Sequence, residues 1–273
     1  MGFLDEMSES SRRRLQAARS AVPQQELVRR CAGLPSALPL TLGGKFDLIA
    51  ELKLRSPALG QLAEAGTDRG AWVETYARSG ACAVSVLTEP ERFGGSLEHL
   101  AQAAARLAPL GVPVMRKDFL VDPYQLYEAR AAGAGGALLI TRMLTDALLA
   151  EMLECAGALG LFILLETFDE EDIERAAAAA AAAVTEANRL LIGVNSRDLQ
   201  TLEVVPERLS GLVGRLPSRW PRVAESGLDT PADAAGMARA GYDLALVGGA
   251  LMRSPDPALL LRQMLQAGRL ARA

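Results

Sequence analysis

The sequence predicts an α/β protein in which one barrel of eight parallel strands, each followed by a helix, is preceded by a helical extension. Eight short apolar runs recur from residue 47 onward, and stretches of helical length and amphipathic pattern separate them. That alternation is the written form of repeated βα units around a parallel sheet. Successive runs begin roughly thirty residues apart, the length of one such unit. Eight units within 273 residues fit a closed (β/α)8 arrangement, the TIM-barrel architecture, better than an open doubly wound sheet.

Residues 3 to 30 intersperse Leu4, Met7, Leu15, Leu27 and Val28 with many charges, which reads as one or two surface helices. Pro35, Pro39, Gly43 and Gly44 then mark a linker. Residues 1–45 are thus expected to form the helical extension and linker, and residues 46–273 the catalytic barrel. The strands are expected at DLIAEL from Asp47, ACAVSVL from Ala81, VPVMRKD from Val112, GALLI from Gly136, LFILLE from Leu161, LLIGVN from Leu190, RVAES from Arg222 and DLALVG from Asp243. The alanine run from Ala176 to Ala183 follows Glu171, Asp172 and Glu174. Alanine is the best helix former and acids favour a helix N-terminus, so this run reads as the fifth helix of the barrel. Thr230-Pro231 reads as an N-cap followed by proline at the first helical position.

Composition narrows the function. With 50% hydrophobic and 23% charged residues the chain is of the soluble globular class. A net charge of -4 and no basic cluster interleaved with aromatics argue against a nucleic-acid partner. No stretch approaches the length of a membrane span. Asp5, Glu6 and Glu9, without a continuous apolar segment, are unlike a targeting peptide. Cys31, Cys82 and Cys155 are odd in number and never in C-x-x-C spacing, so neither a disulfide framework nor a zinc site is expected and a reducing cytoplasm fits. The single histidine, His99, is expected on a helix surface and leaves no set of imidazoles for a metal. No P-loop or dinucleotide fingerprint is present, so neither ATP nor NAD is implied.

Of the 29 basic residues only Lys45, Lys53 and Lys117 are lysines. Arginine does not release its proton in a protein, whereas burial and neighbours can tune lysine to act as acid or base. Lys53 and Lys117 also fall where a barrel of parallel strands carries its chemistry, at the C-terminal strand ends. Successive strand residues alternate faces. Ile49, Glu51 and Lys53 therefore share one face, while Ala50, Leu52 and Leu54 share the other. Met115 and Lys117 repeat the arrangement on the third strand, Glu166 closes Phe162 and Leu164 on the fifth, and Asn195 continues Leu191 and Gly193 on the sixth, with Arg197 two residues on. If these faces point inward, two carboxyls, two amines, an amide and a guanidinium meet over one mouth. A set of solvated strand ends, or a structural ring of ion pairs, is the plainer alternative. Ser226-Gly227 after the seventh strand and Gly248-Gly249 after the eighth fall where many barrels bind phosphate through backbone N–H groups.

These stretches carry a family resemblance. IAELKLRSP, SVLTEPERFGGSL, VMRKDFLVDPYQLYEARAAGAGGALLI, LLETFDEEDIERA, LIGVNSRDLQTLEV and VAESGLDTPADAAGMARAGYDLALVGGALMRSPDP run in order from about residue 47 to 257, and the chain resembles indole-3-glycerol phosphate synthase. The resemblance implies a lyase of tryptophan biosynthesis that takes 1-(2-carboxyphenylamino)-1-deoxyribulose 5-phosphate to indole-3-glycerol phosphate by ring closure, decarboxylation and dehydration, without metal or organic cofactor. It implies Lys117 as the principal acid, with Glu51, Lys53 and Glu166 sharing the other proton transfers. Asn195 and Arg197 would orient the substrate, Phe119 would lie against its aromatic ring, and Ser56 and Pro57 would shape the mouth. Ser226, Gly227, Gly248 and Gly249, with Lys53 nearby, would hold the phosphate.

The chain departs from the family pattern at Leu54, Ala58, Phe168 and Ala250, where a basic residue, a serine, a histidine and a serine are usual. A paralogous phosphate-binding barrel lyase or isomerase with another substrate is therefore a second reading. A non-catalytic scaffold, or a partner for other tryptophan-pathway enzymes, is a third, against which the intact Glu51, Lys53, Lys117, Glu166 and Asn195 set argues.

Overall fold

In the computed structural model, which describes residues 2–58, 60–62, 68–183, 189–199 and 201–272, the eight apolar runs pair into one closed parallel barrel. Its strands are β1 (Asp47–Leu52), β2 (Ala83–Leu87), β3 (Val114–Lys117), β4 (Gly136–Ile140), β5 (Phe162–Thr167), β6 (Leu190–Asn195), β7 (Arg222–Glu225) and β8 (Leu244–Val247). Each pairs with its sequence neighbours, and β8 closes onto β1 with Leu244 opposite Asp47 and Val247 opposite Ala50. Pairing at β2 and β3 begins two residues later than the apolar runs suggest, because Ala81 and Val112 still belong to the incoming loops.

Helices α3 (Arg69–Arg78), α4 (Leu97–Leu107), α5 (Tyr124–Ala131), α6 (Asp146–Leu159), α7 (Glu170–Ala182), α8 (Pro206–Leu212) and α9 (Pro231–Ala240) follow β1 to β7 in turn, and α10 (Gly249–Arg253) with α11 (Pro257–Ala271) follows β8. Local chemistry starts them where expected. Asp169 caps the alanine-rich α7 by accepting from the Asp172 N–H, and Thr230 with Asp233 forms a full capping box ahead of Pro231 on α9. His99 lies half-buried on α4, and the three thiols are unpaired. Among the described residues no helix is long and apolar enough to cross a membrane.

The strand alternation divides the apolar side chains into two layers. Leu48, Ala50, Leu52, Val84, Val86, Leu139 and Ile163 face the helices, whereas Ile49, Ala83, Met115, Leu138, Phe162, Leu164, Leu191, Val223, Leu244 and Leu246 fill the barrel. The second set shares its parity with Glu51, Lys117, Glu166 and Asn195, so the polar strand ends crown the packed interior. At the opposite end the buried Asp47 carboxylate accepts from the Gly43 N–H and from Arg269 of α11, both at 2.7 Å. This ties the last helix to the first strand.

The N-terminal helices are α1 (Phe3–Ala21) and α2 (Gln24–Ala32). Both are surface helices as expected, and α1 has a specific seat for its inner face. Met7 is 2% exposed and packs, with Phe3 and Leu4, into the cluster that fills the barrel. Small Ser10 and Ser11 allow close approach, and Ser11 accepts from Gln125 at 2.9 Å. Arg14 makes a two-pronged contact of 3.0 and 2.8 Å with Asp118, the residue after β3. Helix α1 therefore lies across the C-terminal mouth.

Gly136 begins β4 on the interior face, opposite Phe162, and a methyl group there would stand 2.5 Å from the Phe162 ring. Gly136→Ala is expected to destabilise the fold by about 1–3 kcal/mol through overpacking. A lower urea midpoint with unchanged m would show this; an unshifted midpoint would mean that the ring has room to move.

Candidate active site

The interior parity carries five strand-end groups to one place. Glu51, Lys117, Glu166 and Asn195 stand on β1, β3, β5 and β6, and Lys53 lies just past β1. They line a cavity of about 380 Å³ at the mouth together with Ser56, Pro57, Phe119, Arg197, Ser226, Gly227, Gly248 and Gly249. All the residues singled out from the sequence as candidate site residues thus meet in one space.

Lys117 stands at its centre. Its Nζ is 3.5 Å from Glu51 Oε2, 3.6 Å from Glu166 Oε2 and 3.4 Å from Glu225 Oε2. Burial works against the charge on this amine. A carboxylate near this distance contributes roughly 4 kcal/mol at an effective dielectric of 20, and several together outweigh the loss of water. Lys117 is accordingly held above the usual lysine range despite burial, by Glu51, Glu166 and Glu225. Glu51 shows the reciprocal effect. Burial pushes its carboxyl up, but Lys53, whose Nζ donates at 2.7 Å, and Lys117 bring it down to about 2.

Glu225 was not singled out from the sequence. It closes β7 two residues after the inward-facing Val223, so the alternation that marks Glu51 and Glu166 marks it as well. It is fully buried. Burial, and then the adjacent Glu166 carboxyl, raise it well above the usual carboxylate range against the opposing pull of Lys117.

Two glycines make this crowding feasible. A methyl group on Gly193 would stand 2.3 Å from Glu225 Oε1, and one on Gly248 would stand 2.4 Å from Glu51 Oε1. Gly248, read from sequence as part of a phosphate loop, also leaves the slot that Glu51 occupies.

A polar network backs the strand that carries Lys117. The flanking Arg116 points outward and is 2% exposed, donating to Thr88 at 3.1 Å and to the Gln125 carbonyl at 2.8 Å. Asp118 accepts from Thr88 at 2.7 Å as well as from Arg14. The end of β3 is thereby fastened to β2, α5 and α1. Such a buried network of mutually bonded groups holds backbone geometry firmly.

The apolar wall is aromatic. Phe3 of α1 meets Phe119 edge-on at 5.8 Å between ring centres, and Phe93 from the loop after β2 lies 6.1 Å away on a tilted plane. Phe3 and Phe93 also escaped the sequence reading. The 3,7 spacing in α1 signals a buried face but not the element that it covers.

On the other side Asn195 accepts the Arg197 N–H at 2.9 Å through its side-chain oxygen, which leaves its amide N–H groups for a ligand. Arg197 donates to the Leu202 carbonyl at 2.6 Å. Of the four departures from the family pattern, Ala58 and Ala250 line the cavity. Leu54 instead packs against the outer core, and Phe168 is buried beneath the Arg142 guanidinium, 4.6 Å from its ring centre.

A profile of the indole-3-glycerol phosphate synthase family matches residues 4–264. The chain belongs to that family. Among named indole-3-glycerol phosphate synthases, one from Micrococcus luteus is 41% identical over 270 residues, covering 96% of each chain. Another from Streptomyces griseus subsp. griseus is 38% identical over 271 residues, covering 98% of this chain and 96% of the relative. Among solved structures, 3-hexulose-6-phosphate synthase from Salmonella typhimurium superposes with a TM-score of 0.61 at 13% identity, covering 83% of this chain and all of that one. A thiamine phosphate pyrophosphorylase from Pyrococcus furiosus gives 0.61 at 16% identity, covering 84% and 98%. At such identities the likeness shows the barrel fold alone. The family match extends across both the barrel and the α1 segment that covers its mouth.

The opposed shifts at Glu225 and Glu51 have opposite consequences for stability. Glu225 is raised in the folded chain, so above its unfolded value of roughly 4.3 the folded state binds more protons and stability falls as pH rises toward the folded value. Glu51, lowered to about 2, contributes stability above its unfolded value that is lost as pH falls through 2. Glu225→Gln should therefore gain melting temperature relative to wild type as pH is raised from about 4.5. A constant difference across the series would show that Glu225 does not titrate differently on folding.

Proposed function

We propose that this chain is an indole-3-glycerol phosphate synthase in activity as well as family, converting 1-(2-carboxyphenylamino)-1-deoxyribulose 5-phosphate to indole-3-glycerol phosphate. The observation that supports this most is the placing of Lys117 among Glu51, Glu166 and Glu225, beside a wall of three phenylalanines. Ring closure needs an acid at the ketone while the aromatic carbon attacks it. Decarboxylation then restores aromaticity, and dehydration needs a second acid and a base.

Each step has a candidate among the residues present. Lys117, held charged, donates to the carbonyl oxygen as that atom becomes alkoxide-like, a base stronger than an amine. Glu225, raised by burial, and Glu166 beside it form a carboxyl pair suited to passing a proton during dehydration. Lys53 and Glu51, joined at 2.7 Å, supply a second acid and base pair at the end of β1. Phe3, Phe93 and Phe119 receive the aryl ring, while Asn195 and Arg197 orient the substrate. The phosphate lies at the Ser226-Gly227 and Gly248-Gly249 turns, with Ser56 and Pro57 bounding the mouth.

The substrate is a small phosphorylated molecule, and the reading includes no nucleic-acid or membrane partner. Unpaired thiols at Cys31, Cys82 and Cys155 fit a reducing cytoplasm. An altered substrate within the same chemistry is supported by Ala58 and Ala250, which replace hydroxyl groups at the lining itself. Binding of the sugar phosphate without indole formation would favour that second reading.

Incubation with the carboxyphenylamino-deoxyribulose phosphate while indole fluorescence is followed tests the assignment. Wild type is expected to turn over. Lys117→Arg, which keeps the charge but cannot release a proton, is expected to lose roughly 10²–10⁴-fold in kcat while remaining folded by circular dichroism. Comparable rates in the two proteins would remove Lys117 from the proton transfers.

A further inference from the structure

Ser196 follows Asn195 at the end of β6 and is completely buried, yet none of the roles above uses it. Its backbone N–H donates to the Glu225 carbonyl at 2.9 Å, and its carbonyl accepts from the Val205 N–H at 2.8 Å. Its hydroxyl has one proton to give. The nearer acceptor is the Ser226 carbonyl at 3.0 Å; the Glu225 carbonyl, at 3.2 Å, already has the backbone donor.

The acceptor belongs to an unusual turn. Ser226 has φ of 68°, in the left-handed region that side chains with a Cβ avoid, and Gly227 follows at 74°. A methyl group on Gly227 would stand 2.8 Å from Val204 Cγ1 and 3.3 Å from Ser196 Oγ, so these two side chains form the floor beneath the turn.

The Ser226–Gly227 peptide is trans, and in a trans peptide the carbonyl and the N–H point in opposite directions. With the carbonyl drawn back onto Ser196, the Gly227 N–H is turned to the other side. Gly227 lines the cavity, and its N–H has no protein partner among the described residues. We propose that Ser196 is a positioning residue, whose hydroxyl sets the Ser226–Gly227 peptide so that the Gly227 N–H receives a phosphate oxygen of the substrate. This deepens the functional reading and rests on its placing the phosphate at this turn. Rotation of the peptide would present a carbonyl oxygen to a dianion, and the Ser196 hydrogen bond opposes that rotation.

The test compares Ser196→Ala with wild type in the full chain, using the carboxyphenylamino-deoxyribulose phosphate as substrate and inorganic phosphate as competitor. The KM is expected to rise roughly tenfold, as is the inhibition constant for inorganic phosphate, while kcat stays within about twofold. Unchanged KM and phosphate inhibition would overturn the assignment. So would a fall in kcat and melting temperature with phosphate inhibition intact, which is the signature of a merely structural role. If wild type forms no indole product the functional reading fails, and this inference with it; turnover in wild type beside an unaffected variant removes Ser196 alone.

Discussion

The candidate site depends on one electrostatic arrangement: an ammonium group withdrawn from water and surrounded by carboxyls. A charge placed inside a barrel is tolerated only if partners replace its hydration. Lys117 finds Glu51, Glu166 and Glu225, brought by three other strands, and each of those carboxyls is itself buried. The group is mutually dependent. Removing Lys117 would leave Glu166 and Glu225 dry and without their cation, which ties the integrity of the mouth to its chemistry. The same crowding splits the carboxyls into different states, with Glu51 driven low by two lysines and Glu225 driven high by burial and by Glu166. Divergent affinities for the proton among neighbouring groups are what a reaction with several transfers requires.

The second determinant is the coupling of that cluster to the helix in front of the barrel. Asp118 sits between Lys117 and Phe119 in sequence and accepts hydrogen bonds from Thr88 and from Arg14 of α1. Phe3, at the start of the same helix, completes the aromatic wall with Phe119. One helix therefore touches both the strand that bears the amine and the surface that receives an aryl ring. The extension is part of the cavity in a direct, physical sense.

Much of this was readable from the sequence because parallel strands impose a period of two and end their chemistry at one face. The alternation that places Ile49 inside places Glu51 at the rim, and the scarcity of lysine marks Lys53 and Lys117. Applied evenly, the same parity marks Glu225 and puts Leu54 on the outer face with Leu52, where the structure has it. What parity does not carry is contact between distant segments. The burial of Met7 and Phe3 is implied by their spacing, but their seat over the mouth depends on Arg14 reaching Asp118, 104 residues away. The grip of Ser196 on Ser226 likewise needs a left-handed turn that a serine rarely adopts, and no local pattern announces it.

Gly193 and Gly248 admit a broader use. Each is a notch shaped by the carboxyl of a different strand, so what looks like permissive backbone is in effect an imprint of an acidic group lodged beside it. In surveying barrels of this type, a bulkier residue at either notch would disclose that the facing acid had been displaced or abandoned, even where the acid itself is still written in the chain. Absence of a side chain thus becomes a diagnostic for retained chemistry.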